Sequence, residues 1–253
     1  MAQQYEGISY SVQNNIGYVT LERPPVNAFS PEMAKGLHTI LDVAEKDSLV
    51  RVVVLAGNGE YFSTGMDLKS VDVKNVDVIS HLQQYVFNPI AYKLYTYQKP
   101  TIGVLNGTAA GAGLGFVLGC DMIYARSSAR LVFNTIDKGL LFACGGGYLL
   151  ARTVGERRAK EILFRGTLLT AKEALDEKLV TKVFRDVEDL NCAVDRTAQI
   201  LGEKSPTVIS AVKSAMRLDT IDFFKYLEGE VSLQRRCLES KEFQDAMKIF
   251  LRK

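Results

Sequence analysis

Residues 107–119 constrain this chain more than any other stretch: five of the thirteen are glycine and nearly all the others are apolar. Glycine has no Cβ, so such a backbone can turn sharply and approach its neighbours closely. With its apolar face, the segment reads as a helix packed tightly after a turn. Gly111-Ala112-Gly113-Leu114-Gly115 has some flavour of a dinucleotide loop. It lacks the full fingerprint and comes late in the chain, which disfavours a nucleotide-redox site.

Short strands and helices alternate on both sides of that stretch. Residues 6–12 and 16–22 flank Asn14-Asn15-Ile16-Gly17 and read as an antiparallel hairpin. Arg23-Pro24-Pro25 ends the second strand, because proline removes a ladder donor. Ser30-Pro31-Glu32 fits an N-cap followed by proline at the first helical position. Met33, Leu37, Ile40, Leu41 and Ala44 give that helix an apolar stripe. Residues 50–56 are apolar apart from Arg51, as expected of a buried parallel strand. Further strands are predicted at 101–105, 122–125, 129–133 and 179–184, and helices at 81–97, 145–153 and 156–164. Thr170 and Glu173 form a capping-box pattern, and 187–202, 206–218 and most of 221–250 read as helical. The alternation is that of an α/β protein. Without a repeat or flexible linker, independent domains are disfavoured.

A hydrophobic fraction of 47% supplies a substantial core, and a net charge of +2 without long charge runs argues against nucleic acid or an anionic membrane as partner. Cys120, Cys144, Cys192 and Cys237 form no CxxC pair, and His38 and His81 are the only histidines, so no metal site is expected. Reduced thiols, no secretory signal and no apolar span lead to the expectation of a cytoplasmic chain.

Several landmarks occur in order. They are Arg23-Pro24-Pro25-Val26-Asn27-Ala28-Phe29-Ser30, then Phe62-Ser63-Thr64-Gly65-Met66-Asp67-Leu68, then Asn106-Gly107-Thr108-Ala109-Ala110-Gly111-Ala112-Gly113-Leu114-Gly115. Cys120-Asp121, residues 166–174 and Leu179-Val180 follow. Together they resemble the enoyl-CoA hydratase/isomerase, or crotonase, superfamily over almost the whole chain. The resemblance implies an α/β, crotonase-like spiral of β-β-α units, here residues 1–195. It also implies a C-terminal helical region, 196–253, for trimerisation and for covering the pocket. Expected substrates are acyl-CoA or acyl-carrier thioesters, with coenzyme A or phosphopantetheine as part of the substrate and no separate cofactor. The expected assembly is a homotrimer or a dimer of trimers.

By the same resemblance, the backbone N–H groups of Met66 and Ala112 form an oxyanion hole for an enolate-like intermediate. Arg23, Ala28, Ser63, Thr64, Gly65, Asp67, Leu68, Lys69, Gly111, Gly113 and Thr135 are expected around the substrate. Arg23 and Lys69 suit ligand phosphates, and Asp67 suits orienting its loop by hydrogen bonds. The positions matching the two glutamates of a standard hydratase hold Gly115 and Thr135. An alternative isomerase position matches Ala143. None of these is a carboxylate acid or base. Asp137 is the nearest replacement, since in an extended segment it shares a face with Thr135; a surface salt bridge or a cap is the alternative. Tyr85, Tyr92, Tyr95 and Tyr97 either cover the acyl pocket or pack at helical spacing. Cys144 reads as packing rather than as a nucleophile.

These features point to an acyl thioester enzyme, an atypical enoyl-CoA hydratase or isomerase. One alternative is a decarboxylase or dehydratase of a carrier-linked branched acyl group. Loss of carbon dioxide makes an enolate without abstracting a carbon-bound proton, and Tyr85 or His81 are its candidate donors. The other alternative is a non-catalytic acyl-CoA-binding protein.

Overall fold

The computed structural model describes residues 3–217 and 220–251. Strand β1 (Gln3–Tyr5) pairs antiparallel with β2 (Ile8–Gln13), and β2 forms the expected hairpin with β3 (Ile16–Leu21). Asn14 and Asn15 make the turn at φ of 49° and 63°, a region asparagine tolerates better than most residues. Helix α1 (Pro31–Lys46) starts as predicted: the Ser30 hydroxyl accepts the Met33 N–H at 3.0 Å. Its apolar stripe, Met33 to Ala44, is wholly buried.

From there the chain repeats one pattern. β4 (Val52–Gly57) and β5 (Tyr61–Ser63) are followed by α2 (Val76–Leu82), a π turn at Gln83–Phe87 and α3 (Asn88–Thr96). β6 (Thr101–Leu105) and β7 (Thr108–Ala110) are followed by α4 (Gly111–Leu118). β8 (Met122–Arg126) and β9 (Arg130–Val132) are followed by α5 (Gly146–Val154) and α6 (Glu156–Phe164). β10 (Leu168–Thr170), α7 (Ala171–Asp176) and β11 (Lys182–Phe184) close the series, with the predicted capping box at Thr170 and Glu173. In each unit one strand joins a seven-stranded sheet ordered β1-β2-β3-β4-β6-β8-β11. The other joins a four-stranded sheet ordered β10-β9-β7-β5. Successive units therefore stack side by side, which is the expected spiral of β-β-α units.

The parallel strands are buried on both faces, and their alternation decides which layer each side chain joins. Val52, Val54, Ile102, Val104 and Tyr124 face α8 (Val187–Gly202), which packs Leu190, Val194 and Ala198 against them. Val53, Leu55, Leu105 and Ile123 face the opposite way, into the main core with α1 and α4. The sequence division at 195/196 falls within α8. Beyond α8 lie α9 (Pro206–Met216), α10 (Thr220–Leu238) and α11 (Lys241–Phe250). Of the helix predicted at 206–218, residue 218 lies outside the described residues. Phe243 and Met247 of α11 join Ile79 of α2 and Leu238 of α10 in a separate apolar cluster. That cluster seats the C-terminal helices over the site.

Residues 134–138 do not form the extended segment on which the link between Asp137 and Thr135 was conditional; they form a single 3₁₀ turn, Asn134–Lys138, ended by Gly139 at φ 66°. Residues 221–250 are mostly helical, as expected, and divide into two helices because the Ser240 hydroxyl accepts the Phe243 N–H at 3.2 Å and caps a new start. Among the described residues no helix is long and apolar enough to cross a membrane.

Candidate active site

Two backbone segments meet at the site. Residues 26–29 run alongside 64–67: Thr64 N–H donates to Val26 O at 3.1 Å, Phe29 N–H to Gly65 O at 2.8 Å, and Asp67 N–H to Phe29 O at 2.9 Å. In this parallel bridge Phe29 faces Met66 while using the groups on either side of it. The Met66 N–H therefore points away from residue 29. On that other side lies the N-terminus of α4, where Ala112 is the second helical residue and its N–H has no partner within the helix. The helix dipole adds partial positive charge there. Gly65 lies against it at φ +90°; a Cβ on Gly65 would sit 2.7 Å from the Ala112 nitrogen. Only glycine permits both that φ and that approach.

Met66 and Ala112 both line a cavity of about 770 Å³. Of the residues expected around the substrate, Arg23, Ala28, Thr64, Asp67, Leu68, Lys69, Gly111 and Thr135 line it. Ser63, Gly65 and Gly113 do not. Ser63 is fully buried behind the wall, donating to Asn27 O at 2.7 Å and accepting the Gly65 N–H at 3.1 Å. A Cβ on Gly113 would fall 2.6 Å from the Ser63 Cβ. These three residues, expected at the substrate, shape the donors from behind instead. Arg23 forks to Asp67 Oδ2 at 2.7 Å and Ala28 O at 2.9 Å, and Asp67 Oδ1 accepts the Lys69 N–H at 3.0 Å. Asp67 thus ties residues 23, 67 and 69 together by hydrogen bonds.

The acid/base candidates fare differently. Asp137 is exposed and does not line the cavity. The reason is local geometry: in a 3₁₀ turn residues two apart do not share a face, so the extended-strand argument that linked Asp137 to Thr135 fails. Its carboxylate lies beside Gly166 instead, where a glycine Cβ would meet it at 3.2 Å. Tyr85 and His81 also sit outside: Tyr85 is 62% exposed, and the two rings contact one another at 4.7 Å. Tyr95 and Tyr97 are buried, the Tyr97 hydroxyl donating to Leu41 O at 2.7 Å. They pack rather than cover the pocket. Gly115 is not merely vacant. A Cβ there would meet Ala143 O at 3.0 Å and Cys144 O at 3.2 Å, so the loop after the 3₁₀ turn occupies the room a side chain needs. Thr135 and Ala143 line the cavity without an ionisable group.

Among the described residues, the ionisable side chains on the wall are Arg23, Asp67, Lys69, Lys138 and Cys144. Burial and nearby Glu230 hold the Cys144 thiol well above its ordinary range, so it is not a ready thiolate. Lys138, which the sequence did not single out, is lowered by burial against the opposing pull of Asp137. Glu230 was also missed. It is a buried carboxyl on α10, one layer behind the wall, accepting from Gly145 N–H and Gln83 Nε2 at 3.2 Å each. Burial pushes it up to about 8 despite those donors. The available clue was the stripe Phe223, Leu227, Glu230, Gln234 and Leu238: polar residues at helical spacing on an otherwise core-facing line. No group of three metal-ligating side chains occurs among the described residues.

A family model described as enoyl-CoA hydratase/isomerase matches residues 11–253. The chain is 31% identical to the 1,2-epoxyphenylacetyl-CoA isomerase of Escherichia coli K12 over 253 residues, covering 98% of this chain and 96% of that one. It is 28% identical to the trans-2-decenoyl-[acyl-carrier-protein] isomerase of Streptococcus mutans over 255 residues, with coverage of 98% and 96%. An enoyl-CoA hydratase/isomerase structure from Xanthobacter autotrophicus Py2 superposes with a TM-score of 0.89 at 26% identity, over 99% of this chain and 94% of that one.

Proposed function

The chain belongs to the enoyl-CoA hydratase/isomerase family, and from that premise we propose that it is an enzyme acting on acyl thioesters through an enolate-like intermediate. The observation that carries this is the pair of backbone donors, Met66 and Ala112, on the wall of one cavity. Donors fixed before the reaction stabilise the developing oxyanion without reorganising. The reaction is an atypical hydration or isomerisation, because the positions of the usual carboxylates hold Gly115, Thr135 and Ala143. Asp137 is dropped as the base on the ground of its exposure. The Thr135 hydroxyl on the wall can orient a substrate group or a water by a hydrogen bond but cannot accept the proton, so this reading requires a base that none of Gly115, Thr135 and Ala143 supplies.

A second reading, decarboxylation, is favoured by one feature of the wall. Its only carboxylate, among the described residues, is Asp67, and Asp67 is committed to Arg23. Decarboxylation needs no base to form the enolate, only the two donors to hold it. Similar proteins are named for a CoA thioester and for an acyl-carrier-protein substrate, so both carriers belong in the test.

That test incubates the protein with enoyl, malonyl-type and 3-methylglutaconyl-type thioesters in deuterated water and follows mass. Hydration or deuterium exchange at the carbon next to the carbonyl supports the first reading. Carbon dioxide loss without hydration selects the second. Binding without turnover throughout the panel leaves a non-catalytic acyl-CoA-binding protein. The same proposal includes self-association, for which α9 presents Val208, Val212 and Met216 at successive helical turns, each at least half exposed.

A further inference from the structure

The cavity wall carries one positive charge that has no hydrogen-bonded or ion-paired partner among the described residues. Arg23 is paired with Asp67, and Lys69 is exposed beside the Arg23 segment. Lys138 is different. It lines the cavity, is shielded from solvent in part, and makes no hydrogen bond or ion pair with another described residue. Asp137, the carboxylate next to it in the chain, attracts it through space but is exposed, lies beside Gly166 and makes no ion pair with it. A lysine half withdrawn from water without a partner is unfavourable in the empty site. A ligand anion would restore its balance.

The polar groups near it fit the same ligand. Two buried glutamines line the cavity, Gln83 at 3% and Gln234 at 7% exposure. Each is anchored by one end of its amide. Gln83 Nε2 donates to Glu230 Oε2 at 3.2 Å, and Gln234 Oε1 accepts the Leu141 N–H at 2.8 Å. The second bond orients the Gln234 amide nitrogen away from Leu141, and no described residue accepts from it. Leu141 lies three residues from Lys138 in the chain, and Lys138, Leu141 and Gln234 all line the cavity. The surrounding lining, Leu140, Leu238 and Phe243, is apolar and contains no competing acceptor of charge.

Resting on the acyl-thioester reading above, we propose that Lys138, with the Gln234 amide, forms a subsite for a carboxylate on the acyl group itself. The substrates are then thioesters of dicarboxylic rather than simple fatty acids. The carboxylate accepts from the Lys138 ammonium and the Gln234 amide, while the thioester carbonyl sits at the Met66 and Ala112 donors. The subsite serves either reaction, since it selects the acyl group without forming the enolate.

Calorimetric titration tests this with matched, saturated ligands: glutaryl-CoA against valeryl-CoA, adipyl-CoA against hexanoyl-CoA, and free CoA. In at least one pair the carboxylate form is expected to bind about tenfold or more tightly, the scale of a charge-assisted hydrogen bond. Lys138→Met is expected to abolish that preference while leaving valeryl- and hexanoyl-CoA unchanged, and Lys138→Arg is expected to keep it. Three results overturn the subsite: no preference in either pair, a preference that survives Lys138→Met, or equal weakening of every ligand including free CoA. The last would make Lys138 a phosphate contact. Binding of hexanoyl-CoA without a preference removes the subsite alone. Binding of no acyl-CoA at all removes the acyl-thioester reading with it.

Discussion

Gly65 shows how a single residue can be essential without contributing a functional group. Its φ of +90° and the 2.7 Å between a would-be Cβ and the Ala112 nitrogen leave no room for alanine. Gly65→Ala is expected to push the two donor loops apart. Removing one oxyanion donor costs about 100-fold or more in turnover, and the strained φ adds about 1 kcal/mol or more of destabilisation. Steady-state kinetics on whichever thioester proves active, with a thermal melt alongside, check both parts; full turnover in the variant would rule out this role for the loop. Gly115 teaches the converse. Restoring the usual carboxylate there by Gly115→Glu is expected to lower the melting temperature and to confer no hydratase activity. The new Cβ meets the backbone oxygens of Ala143 and Cys144 at 3.0 and 3.2 Å, and backbone yields less readily than a side chain. Gain of hydration of a short enoyl-CoA would show that the loop gives way.

Helix α10 brings two polar residues, Glu230 and Gln234, onto a line otherwise occupied by Phe223, Leu227 and Leu238. The helix could have buried more apolar surface at both places. It instead fixes the Cys144–Gly145 turn through Glu230 and the Leu141 backbone through Gln234. Burial raises the Glu230 carboxyl from its ordinary 4.5 to about 8. Between those values the folded chain holds a proton that the unfolded chain has released. The contribution to stability is therefore fully present below about 4.5 and is lost as pH rises through about 8. Glu230→Gln, which is neutral at every pH, is expected to lack this loss. Its stability relative to the parent should grow between pH 5 and 8 by about 1 kcal/mol or more. Urea unfolding at several pH values measures it, and parallel pH profiles for the two proteins would contradict the assignment. The π turn at Gln83–Phe87 works at the same scale: it keeps α2 and α3 continuous while turning both Gln83 and Phe87 onto the cavity wall.

At the scale of the whole molecule, the C-terminal helices close the site from one side, through Gln234, Leu238, Phe243 and Phe250, and leave an apolar row on α9 uncovered. Val208, Val212 and Met216 are expected to be buried between copies of the chain. Light scattering after size exclusion should give three or six times the chain mass. The double substitution Val212→Glu, Met216→Glu should shift it toward the monomer, because a charge buried in an apolar contact costs several kcal/mol unless paired. A monomeric parent protein would refute the assembly.

Much of this architecture was legible in the sequence because its signals are local. Proline and serine placed the start of α1, apolar runs marked the parallel strands, and the glycines of 107–119 announced a tightly packed helix. Met66 and Ala112, proposed as the donors, were picked out by two ordered motifs, and both line one cavity. The acid/base side was not legible. Whether Asp137 shares a face with Thr135 depends on whether residues 134–138 extend or coil, and packing of Gly139 against Phe243, more than a hundred residues later, accompanies the coil. Glu230, Gln83 and Lys138 were likewise not singled out from the sequence. Their burial, their partners and the charge they bring to the cavity arise only when α10, α11 and the turn after β9 close on one another. Local preference and backbone sterics are written along the chain; desolvation and unpaired charge are properties of what surrounds a residue, and only the tertiary structure decides them.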